Sequence, residues 1–270
     1  MKSGTNWLGR LLQTHPDVQV VGEFHWEPLV TVLNRMLRRN RIFARLEIQE
    51  TVRAGFDQMI RDSLVAATGG QARVIGERTP TTLEPITLRG AHHLSIIRDG
   101  RDVLVSRAFH LFNHPNVTTL FDRFPEMKRD LEAFQADPWY FRQHPDRLLH
   151  NEEFVRDSSR WWKEHLQRDR ETVQKLPRLP VRFVRYEDLQ RDVEGERIRL
   201  LHFLGLDTDQ LPPLPDVLRP GQAEENPTAF VRKGIVGHWE NYFTDRTRAW
   251  FKQEAGDELI HQGYVDSNDW

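Results

Sequence analysis

The chain has 270 residues, 38% of them hydrophobic, and carries a formal net charge of −2 at neutral pH. A chain of this length can bury the hydrophobic core of one domain, and we expect a single domain over residues 1–270. The near-zero net charge excludes nucleic-acid binding by bulk electrostatics, and a chain without cysteine has no disulfide, cysteine nucleophile or thiolate metal site. Because there is no 18-residue apolar run and no basic-then-apolar amino end, we expect a cytoplasmic protein without a membrane span.

Predicted helices and strands alternate along the chain. Hydrophobic spacing predicts helices over 6–13, 28–41, 48–67, 83–88, 101–112, 153–176, 193–204 and 246–261, and strands over 18–21, 73–76, 93–97 and 181–184. Prolines, aromatic residues and charges are mixed around 113–150, which predicts short helices and loops in a cap or insertion. The alternation predicts an α/β fold, a parallel sheet with helices on both faces, whose ligands bind at the carboxyl ends of the strands.

The first motif lies at the amino end, where Lys2-Ser3-Gly4-Thr5-Asn6 stands directly before a predicted helix. The free amide groups and the dipole at the start of a helix favour an anion, and Gly4 permits close approach of the backbone. Lys2 adds a full charge, and Thr5 and Asn6 add side-chain donors. An ordinary capped surface helix explains the same residues equally well. The Walker A pattern is absent because Lys2 precedes the glycine, which argues against a nucleoside triphosphatase.

The second motif runs from Arg98 to Ser106. A predicted strand ends at Arg98, a turn follows, and Ser106 comes eight residues later, about two turns into the next helix. One interpretation makes Arg98 and Ser106 a pair of donors for a phosphate. The other makes Arg98 and Asp102 a surface ion pair and gives Ser106 no role.

The third motif begins at Arg232-Lys233-Gly234 and runs to Trp239. Two cations and two glycines in a loop suit a phosphate clamp, and a solvated basic turn is the alternative.

Four segments at domain-wide spacing combine these motifs: Lys2–Trp7, Arg98–Ser106, Tyr186–Leu189 and Arg232–Phe243. They resemble the KSGTTW-like loop, the RDPRDVLVS-like strand–turn–helix, the RYEDL segment and the RKGxxGDWKNxFT-like tail of cytosolic and bacterial sulfotransferases, which use 3′-phosphoadenosine 5′-phosphosulfate (PAPS). The resemblance spans nearly the whole chain. It implies a three-layer sandwich like that of P-loop NTPases, and transfer of a sulfuryl group from PAPS to a hydroxyl or amine of a small-molecule or carbohydrate acceptor. In this chain Asn6 replaces a second threonine, and His238 replaces an aspartate.

The resemblance also implies roles for individual residues. The 5′-phosphosulfate would be held by Lys2, Ser3, Gly4, Thr5 and Asn6, and the 3′-phosphate by Arg98, Ser106, Arg232, Lys233 and Gly234. Trp7 and Tyr186 would lie near the adenine, although Trp7 also fits a core-facing helical position. Lys2 would stabilise the leaving-group oxygen, with Ser3 holding Lys2 beforehand, and no metal is required.

The base that takes the acceptor proton must be a different residue from the one in the best-known cytosolic branch, where a histidine stands in a KTHLP-like segment. The matching segment here, Glu77–Leu83, contains no histidine. The chain is closer to the bacterial and carbohydrate-type pattern, in which a glutamate follows the first helix. Glu23 occupies that place and is the first choice, with His25 second. A simple ion pair of Glu23 with a nearby cation is the alternative.

Several points remain open at this stage. A nucleotide kinase of P-loop type and a non-catalytic nucleotide-binding module are the alternative functions. The acceptor is not readable, although the aromatic residues from Phe109 to Phe141 are expected to help form its pocket. The oligomeric state, monomer or homodimer, is open.

A first strand of about five residues should precede the loop at Lys2, and it is missing from the sequence. We therefore expect Met1 to be an internal methionine of a longer chain, or a misplaced start.

Overall fold

A computed structural model describes residues 3–39, 41–84, 87–114, 120–222, 225–228 and 234–270. The α-helices are α1 (Thr5–Leu12), α2 (Glu27–Arg39), α3 (Leu46–Thr68), α4 (Gly100–Asn113), α5 (Leu120–Arg123), α6 (Lys128–Ala136), α7 (Tyr140–Gln143), α8 (Glu152–Lys175), α9 (Tyr186–Arg191), α10 (Val193–Phe203) and α11 (Asp245–His261). The strands are β1 (Val18–Val21), β2 (Val74–Glu77), β3 (His93–Ile97) and β4 (Val181–Arg185). Short 3₁₀ helices cover Arg41–Ala44, Pro125–Met127, Pro145–Arg147, Asp216–Leu218 and His238–Asn241.

The order of these elements confirms the predicted α/β fold, and the four predicted strands form within one residue of their expected bounds. The predicted helix over 83–88 does not extend over residues 87 and 88, which are not helical, and its residues 85 and 86 lie outside the described residues. Helix α9 was not predicted, because six residues are too few to show a helical period. Within the described chain, α1 comes before any strand, and the first strand begins at Val18.

The chain divides into two compact units. The first contains residues 3–96 and 168–218, and the second contains residues 97–167 and 219–270.

The first unit carries the strands in two pairs. β1 lies parallel to β2 with Val18 opposite Val74 and Val21 opposite Glu77, and β3 is the neighbour of β4. Helix α1 packs on β1, and α3 packs on both β1 and β2. The buried core of this unit consists of aliphatic side chains from α1, β1, β4, α9, α10 and the segment after α10: Leu8, Leu11, Leu12, Val18, Val184, Leu189, Val193, Leu200, Leu201, Leu206, Leu214 and Leu218.

The second unit is built around aromatic side chains. Phe109, Phe112 and Phe141 are at most 5% exposed, and their rings contact one another at centroid distances of 4.6 and 5.8 Å. Phe124 and Phe134, from the segment expected to be a cap, are buried in the same cluster. These rings therefore form the core of this unit, and core packing accounts for the aromatic residues that suggested an acceptor pocket.

No helix in the described part of the chain has the length and apolarity needed to cross a bilayer.

Candidate functional site

The turn before α1 has a conformation that only glycine adopts readily. Gly4 has φ 99° and ψ 21°, and a Cβ placed on it would lie 2.7 Å from the Tyr186 ring. Ser3, the preceding residue, is 7% exposed. No side chain caps the helix, so its first amide groups have no partner from a capping side chain. The tight turn thus presents the positive end of α1, as the phosphate-loop interpretation requires.

Trp7 and Tyr186 lie beside this turn in edge-to-face contact, with ring centroids 5.5 Å apart. The Trp7 Nε1–H donates to the carbonyl oxygen of Leu218 at 2.9 Å, and the Tyr186 hydroxyl accepts from Gln190 at the same distance. Tyr186 is 4% exposed. Both rings are therefore fixed by hydrogen bonds at their polar ends, and Tyr186 sets the shape of the Gly4 turn.

The segment after β1 gathers acidic side chains. His25 Nε2 lies 3.4 Å from Glu23 Oε2, and His25 Nδ1 lies 4.0 Å from Glu27 Oε2. The side chain of His25 is 60% exposed and that of Glu23 is 31% exposed. His25 has φ 53°, the one positive φ of a non-glycine residue among the described residues. The two residues predicted as bases are thus brought together, on a turn that holds backbone strain.

Glu77 is a third acidic residue of this cluster, which sequence reasoning missed. It ends β2 opposite Val21 of β1, and its Oε2 accepts a hydrogen bond of 2.9 Å from Trp26 Nε1–H. Burial raises the pKa of Glu77, the Trp26 hydrogen bond lowers it, and the charge of Glu27 raises it. An available signal was its place directly after the predicted strand over 73–76, at the carboxyl end where ligands of such sheets bind.

One cavity joins the start of α1 to this cluster. It has a volume of about 410 Å³, and its walls include Thr5 of α1, Trp26, Glu77, Arg78 and Thr79. The Thr79 hydroxyl donates to Glu27 Oε1 at 3.1 Å. The first turn of α1, the Glu77 carboxyl group and the Arg78 guanidinium group therefore border the same space within the first unit. This arrangement can hold a negatively charged group beside a proton acceptor.

We expect Glu77→Gln to stabilise the protein at pH 7. Because the pKa of Glu77 is raised in the folded state, the folded protein binds the Glu77 proton more tightly than the unfolded chain does. The free energy of unfolding therefore falls as the pH rises from 4.5 through the folded-state pKa of Glu77. Glutamine cannot ionise and still accepts from Trp26 through its carbonyl. The melting temperature at pH 7 should rise by about 1–3 °C, and the gain should shrink toward pH 4. Glu50→Gln, at an exposed position on α3, is the control. A gain of the same size at every pH would contradict this assignment.

The second unit contains Arg98 and Asp102, and their ion pair is buried. Arg98 Nη2 lies 3.5 Å from Asp102 Oδ2 and donates to the carbonyl oxygen of Ile235 at 2.9 Å. Asp102 is 2% exposed. The interpretation of this pair as a surface ion pair is therefore wrong, because both side chains are enclosed by the segment around Ile235 and Gly237.

Asp102 fixes the loop that precedes Trp239. Its two carboxylate oxygens accept from the amide groups of Gly237 at 2.9 Å and Trp239 at 3.0 Å. Burial raises the pKa of Asp102, while the charge of Arg98 and these two hydrogen bonds lower it. Arg98 and the end of the third motif are thus held together through one carboxylate.

The turn between β3 and α4 is equally constrained. The Asp99 side chain caps α4 by accepting from the Arg101 amide at 2.9 Å, and Trp162 Nε1–H donates to the Arg98 carbonyl oxygen at 3.1 Å. A Cβ on Gly100 would lie 2.6 Å from the Trp162 ring, so the turn requires glycine. Ser106 is half-buried on α4, two turns beyond Arg98.

Three of the predicted site residues, Lys2, Arg232 and Lys233, lie outside the described residues. Gly234 is described and has φ 65°. Within the described ranges, no group of three or more histidine, aspartate or glutamate side chains is arranged to hold a metal ion.

These features define an α/β protein with a glycine turn at the start of a helix and a polar cluster at the ends of neighbouring strands. The sequence model of the sulfotransferase domain matches residues 1–261. The chain belongs to the sulfotransferase family.

Two relatives illustrate the breadth of this family. The chain is 24% identical to sulfotransferase 1E1 of Cavia porcellus, over 90% of this chain and 75% of that protein. The fold is similar to that of mouse sulfotransferase SULT7A1, solved in complex with PAP. That match has a TM-score of 0.50 and 16% identity, and it covers 97% of this chain and 82% of the other. At this identity, the structural match establishes the fold alone.

Proposed function

We propose that this protein transfers the sulfuryl group of PAPS to a hydroxyl or amine of a small-molecule or carbohydrate acceptor. The observation that supports this most is the cavity bordered by both Thr5, at the start of α1, and Glu77, in the acidic cluster. Such a cavity places the start of α1 beside the acidic cluster that contains Glu23, the proposed base. Membership of the sulfotransferase family, and the PAP complex of SULT7A1, support PAPS as the donor.

In this proposal the loop from Lys2 to Asn6 binds the 5′-phosphosulfate. The amide groups of the Gly4 turn and of the first turn of α1 donate to its oxygens, and Lys2 supplies the full charge. Trp7 and Tyr186 form the aromatic surroundings of the adenine, where their rings are already fixed. Arg98 and Ser106 bind the 3′-phosphate with Arg232, Lys233 and Gly234.

The chemical step is an in-line displacement at sulfur. The acceptor oxygen or nitrogen forms a bond to sulfur while the bond from sulfur to the phosphate oxygen breaks, which releases adenosine 3′,5′-bisphosphate. Negative charge grows on that phosphate oxygen, and Lys2 stabilises it. Glu23 takes the acceptor proton, with His25 beside it at 3.4 Å as the second choice. No metal ion takes part in the proposed step.

A transfer assay tests the function. The full chain is incubated with sulfur-labelled PAPS, or with γ-labelled ATP, and a panel of phenols, alcohols and sugars. Label from PAPS on an acceptor is the expected result. Transfer from ATP would instead identify a kinase, and PAP binding without transfer would identify a non-catalytic nucleotide-binding module.

We expect Ser106→Ala to weaken binding of PAP by roughly 3- to 30-fold, because one hydrogen bond to a charged phosphate is lost. Alanine is the best helix former, so α4 should keep its stability. Binding of adenosine 5′-monophosphate, which lacks the 3′-phosphate, should not change. Calorimetry with both nucleotides measures the difference. Ser63→Ala, at a half-buried position on α3, is the matched control. If both nucleotides lose the same affinity, Ser106 does not bind the 3′-phosphate.

A further inference from the structure

Helix α2, in the first unit, exposes a stripe of apolar side chains. Leu29, Val32 and Met36 recur at helical spacing and are 50%, 61% and 41% exposed. Leu37 is the one buried residue among the thirteen of α2, all of which are described. The helix thus leaves three large apolar residues uncovered where a surface helix usually carries polar residues.

The apolar exposure continues after α2. Ile42, in the 3₁₀ helix Arg41–Ala44, and Leu46, the first residue of α3, are each more than half exposed. The 3₁₀ helix packs on both α2 and α3, so these residues belong to one contiguous part of the first unit. Single exposed apolar residues are ordinary, but a contiguous group of them marks an interaction surface.

The same segment concentrates positive charge. Residues 28–46 contain no aspartate or glutamate and five arginines, all exposed: Arg35, Arg38, Arg39, Arg41 and Arg45. Arg45 also lies 3.6 Å from Glu47, just after the segment. A formal charge of −2 for the chain and +5 for this segment leaves −7 for the other residues. A patch of charge opposite to the rest of the molecule indicates an anionic partner.

The cations of α2 stand beside its apolar stripe. Arg35 follows Val32 by three residues and Arg39 follows Met36 by three, so each pair lies on neighbouring positions of the helix surface. A helix that combines an exposed apolar stripe with a cluster of four to eight basic residues is typical of proteins that lie on anionic lipid. The long arginine side chains can follow the apolar surface and keep their charges at the polar boundary.

Two other occupants fit this surface less well. In a two-fold dimer the same patch meets itself, so the five arginines would face five arginines, and like charges in contact weaken binding. An acidic protein that binds a helix in a groove needs one ridge of anchors, whereas these residues come from a helix, a 3₁₀ helix and the start of another helix. A lipid interface needs no matched shape and supplies both anionic groups and apolar chains.

We propose that the surface formed by α2, the 3₁₀ helix Arg41–Ala44 and the start of α3 binds a lipid bilayer that contains anionic lipid. Helix α2 lies in the plane of the interface. Leu29, Val32 and Met36 enter the boundary between head groups and acyl chains, and the arginines contact the anionic head groups.

The test measures binding of the full chain to vesicles by sedimentation. One set of vesicles contains phosphatidylcholine alone, and the other contains about 30 mol% phosphatidylserine in addition. Neither nucleotide nor acceptor is present, so the result is independent of the proposed sulfuryl transfer. In about 0.1 M salt, binding to the anionic vesicles is expected to be at least about 100-fold tighter, because each basic residue near such a surface raises affinity by about fivefold. The difference should nearly vanish in about 1 M salt, where the Debye length falls from about 10 Å to about 3 Å.

Two triple variants separate the charge from the apolar stripe. Replacing Arg35, Arg38 and Arg39 by glutamine should weaken binding to the anionic vesicles by about 100-fold. The matched control replaces three exposed arginines outside the segment by glutamine, removes the same net charge and should change binding by less than about threefold: Arg129, Arg178 and Arg246. Replacing Leu29, Val32 and Met36 by glutamine should weaken binding by at least about tenfold and leave its salt dependence in place. Because every substituted residue is exposed, the melting temperatures should stay near that of the wild type.

Four results would overturn the proposal. The first is equal binding of the wild type to both sets of vesicles, or no binding to either. The second is equal binding by the two arginine variants. The third is a dimer in sedimentation equilibrium that the Leu29, Val32 and Met36 variant abolishes, because a second copy would then cover the surface. The fourth is tighter binding to soluble polyglutamate than to the anionic vesicles, which would assign the surface to an acidic protein.

Discussion

Replacing Glu23 by glutamine is expected to lower kcat by about 10²- to 10⁴-fold, the usual contribution of a general base. Glutamine keeps the size and the hydrogen-bonding capacity of the side chain, but its amide cannot take the proton of the acceptor. Affinity for PAP should not change, because the nucleotide is proposed to bind through other residues. Single-turnover kinetics and calorimetry measure the two quantities separately.

Two further variants separate Glu23 from its neighbours. His25→Asn removes the imidazole 3.4 Å from Glu23, and Glu77→Gln removes the half-buried carboxyl group that accepts from Trp26. Each should reduce kcat by less than Glu23→Gln does. A nearly wild-type kcat for Glu23→Gln would rule out this base. A larger loss with His25→Asn or Glu77→Gln would transfer the role to that residue.

Gly4→Ala is expected to weaken PAP binding by at least about tenfold and to lower the melting temperature by roughly 4–8 °C. At φ 99° an L-residue costs about 1–2 kcal/mol, and the new methyl group would lie 2.7 Å from a Tyr186 ring carbon. Because Tyr186 is buried and hydrogen-bonded to Gln190, the turn must move instead of the ring. The amide groups at the start of α1 would then lose their alignment with the phosphosulfate.

Gly22→Ala is the matched control for this change. A Cβ on Gly22 meets no atom within 4 Å, and the residue lies outside the left-handed region. Its melting temperature and PAP affinity should stay close to those of the wild type. If Gly4→Ala binds PAP as well as Gly22→Ala does, the Gly4 turn does not position the donor.

The structure changes the meaning of the second motif. The Arg98–Asp102 pair could have been a solvent-exposed contact of little energetic consequence. Asp102 instead is buried, and it accepts hydrogen bonds from Gly237 and Trp239 while it contacts Arg98. This geometry ties the loop after Gly234 to the residue proposed to bind the 3′-phosphate. Two distant motifs are therefore one structural unit, and they are joined by Asp102, a carboxylate that the sequence suggested only as the partner of Arg98 in a surface ion pair.

The sequence by itself determined the strands, most of the helices and the family. Val18–Val21 and Val181–Arg185 are short apolar segments between turn or loop residues, and α3 and α8 are long enough to show a clear helical period. The four ordered motifs identified the family because their residue types are rare in combination. Helical period, short strands and motif residues are local properties, so they can be recognised from the order of residues along the chain.

Only the tertiary structure decided which side chains are enclosed and which lie together. The rings from Phe109 to Phe141 form a core, and Glu77 joins the cluster of Glu23 and His25 across a parallel strand pair. The cavity that joins Thr5 of α1 to Glu77 of β2 became visible only in three dimensions. Burial and strand order depend on residues far apart in the chain. Their physical basis is packing and hydrogen bonding between elements, which sequence spacing does not record.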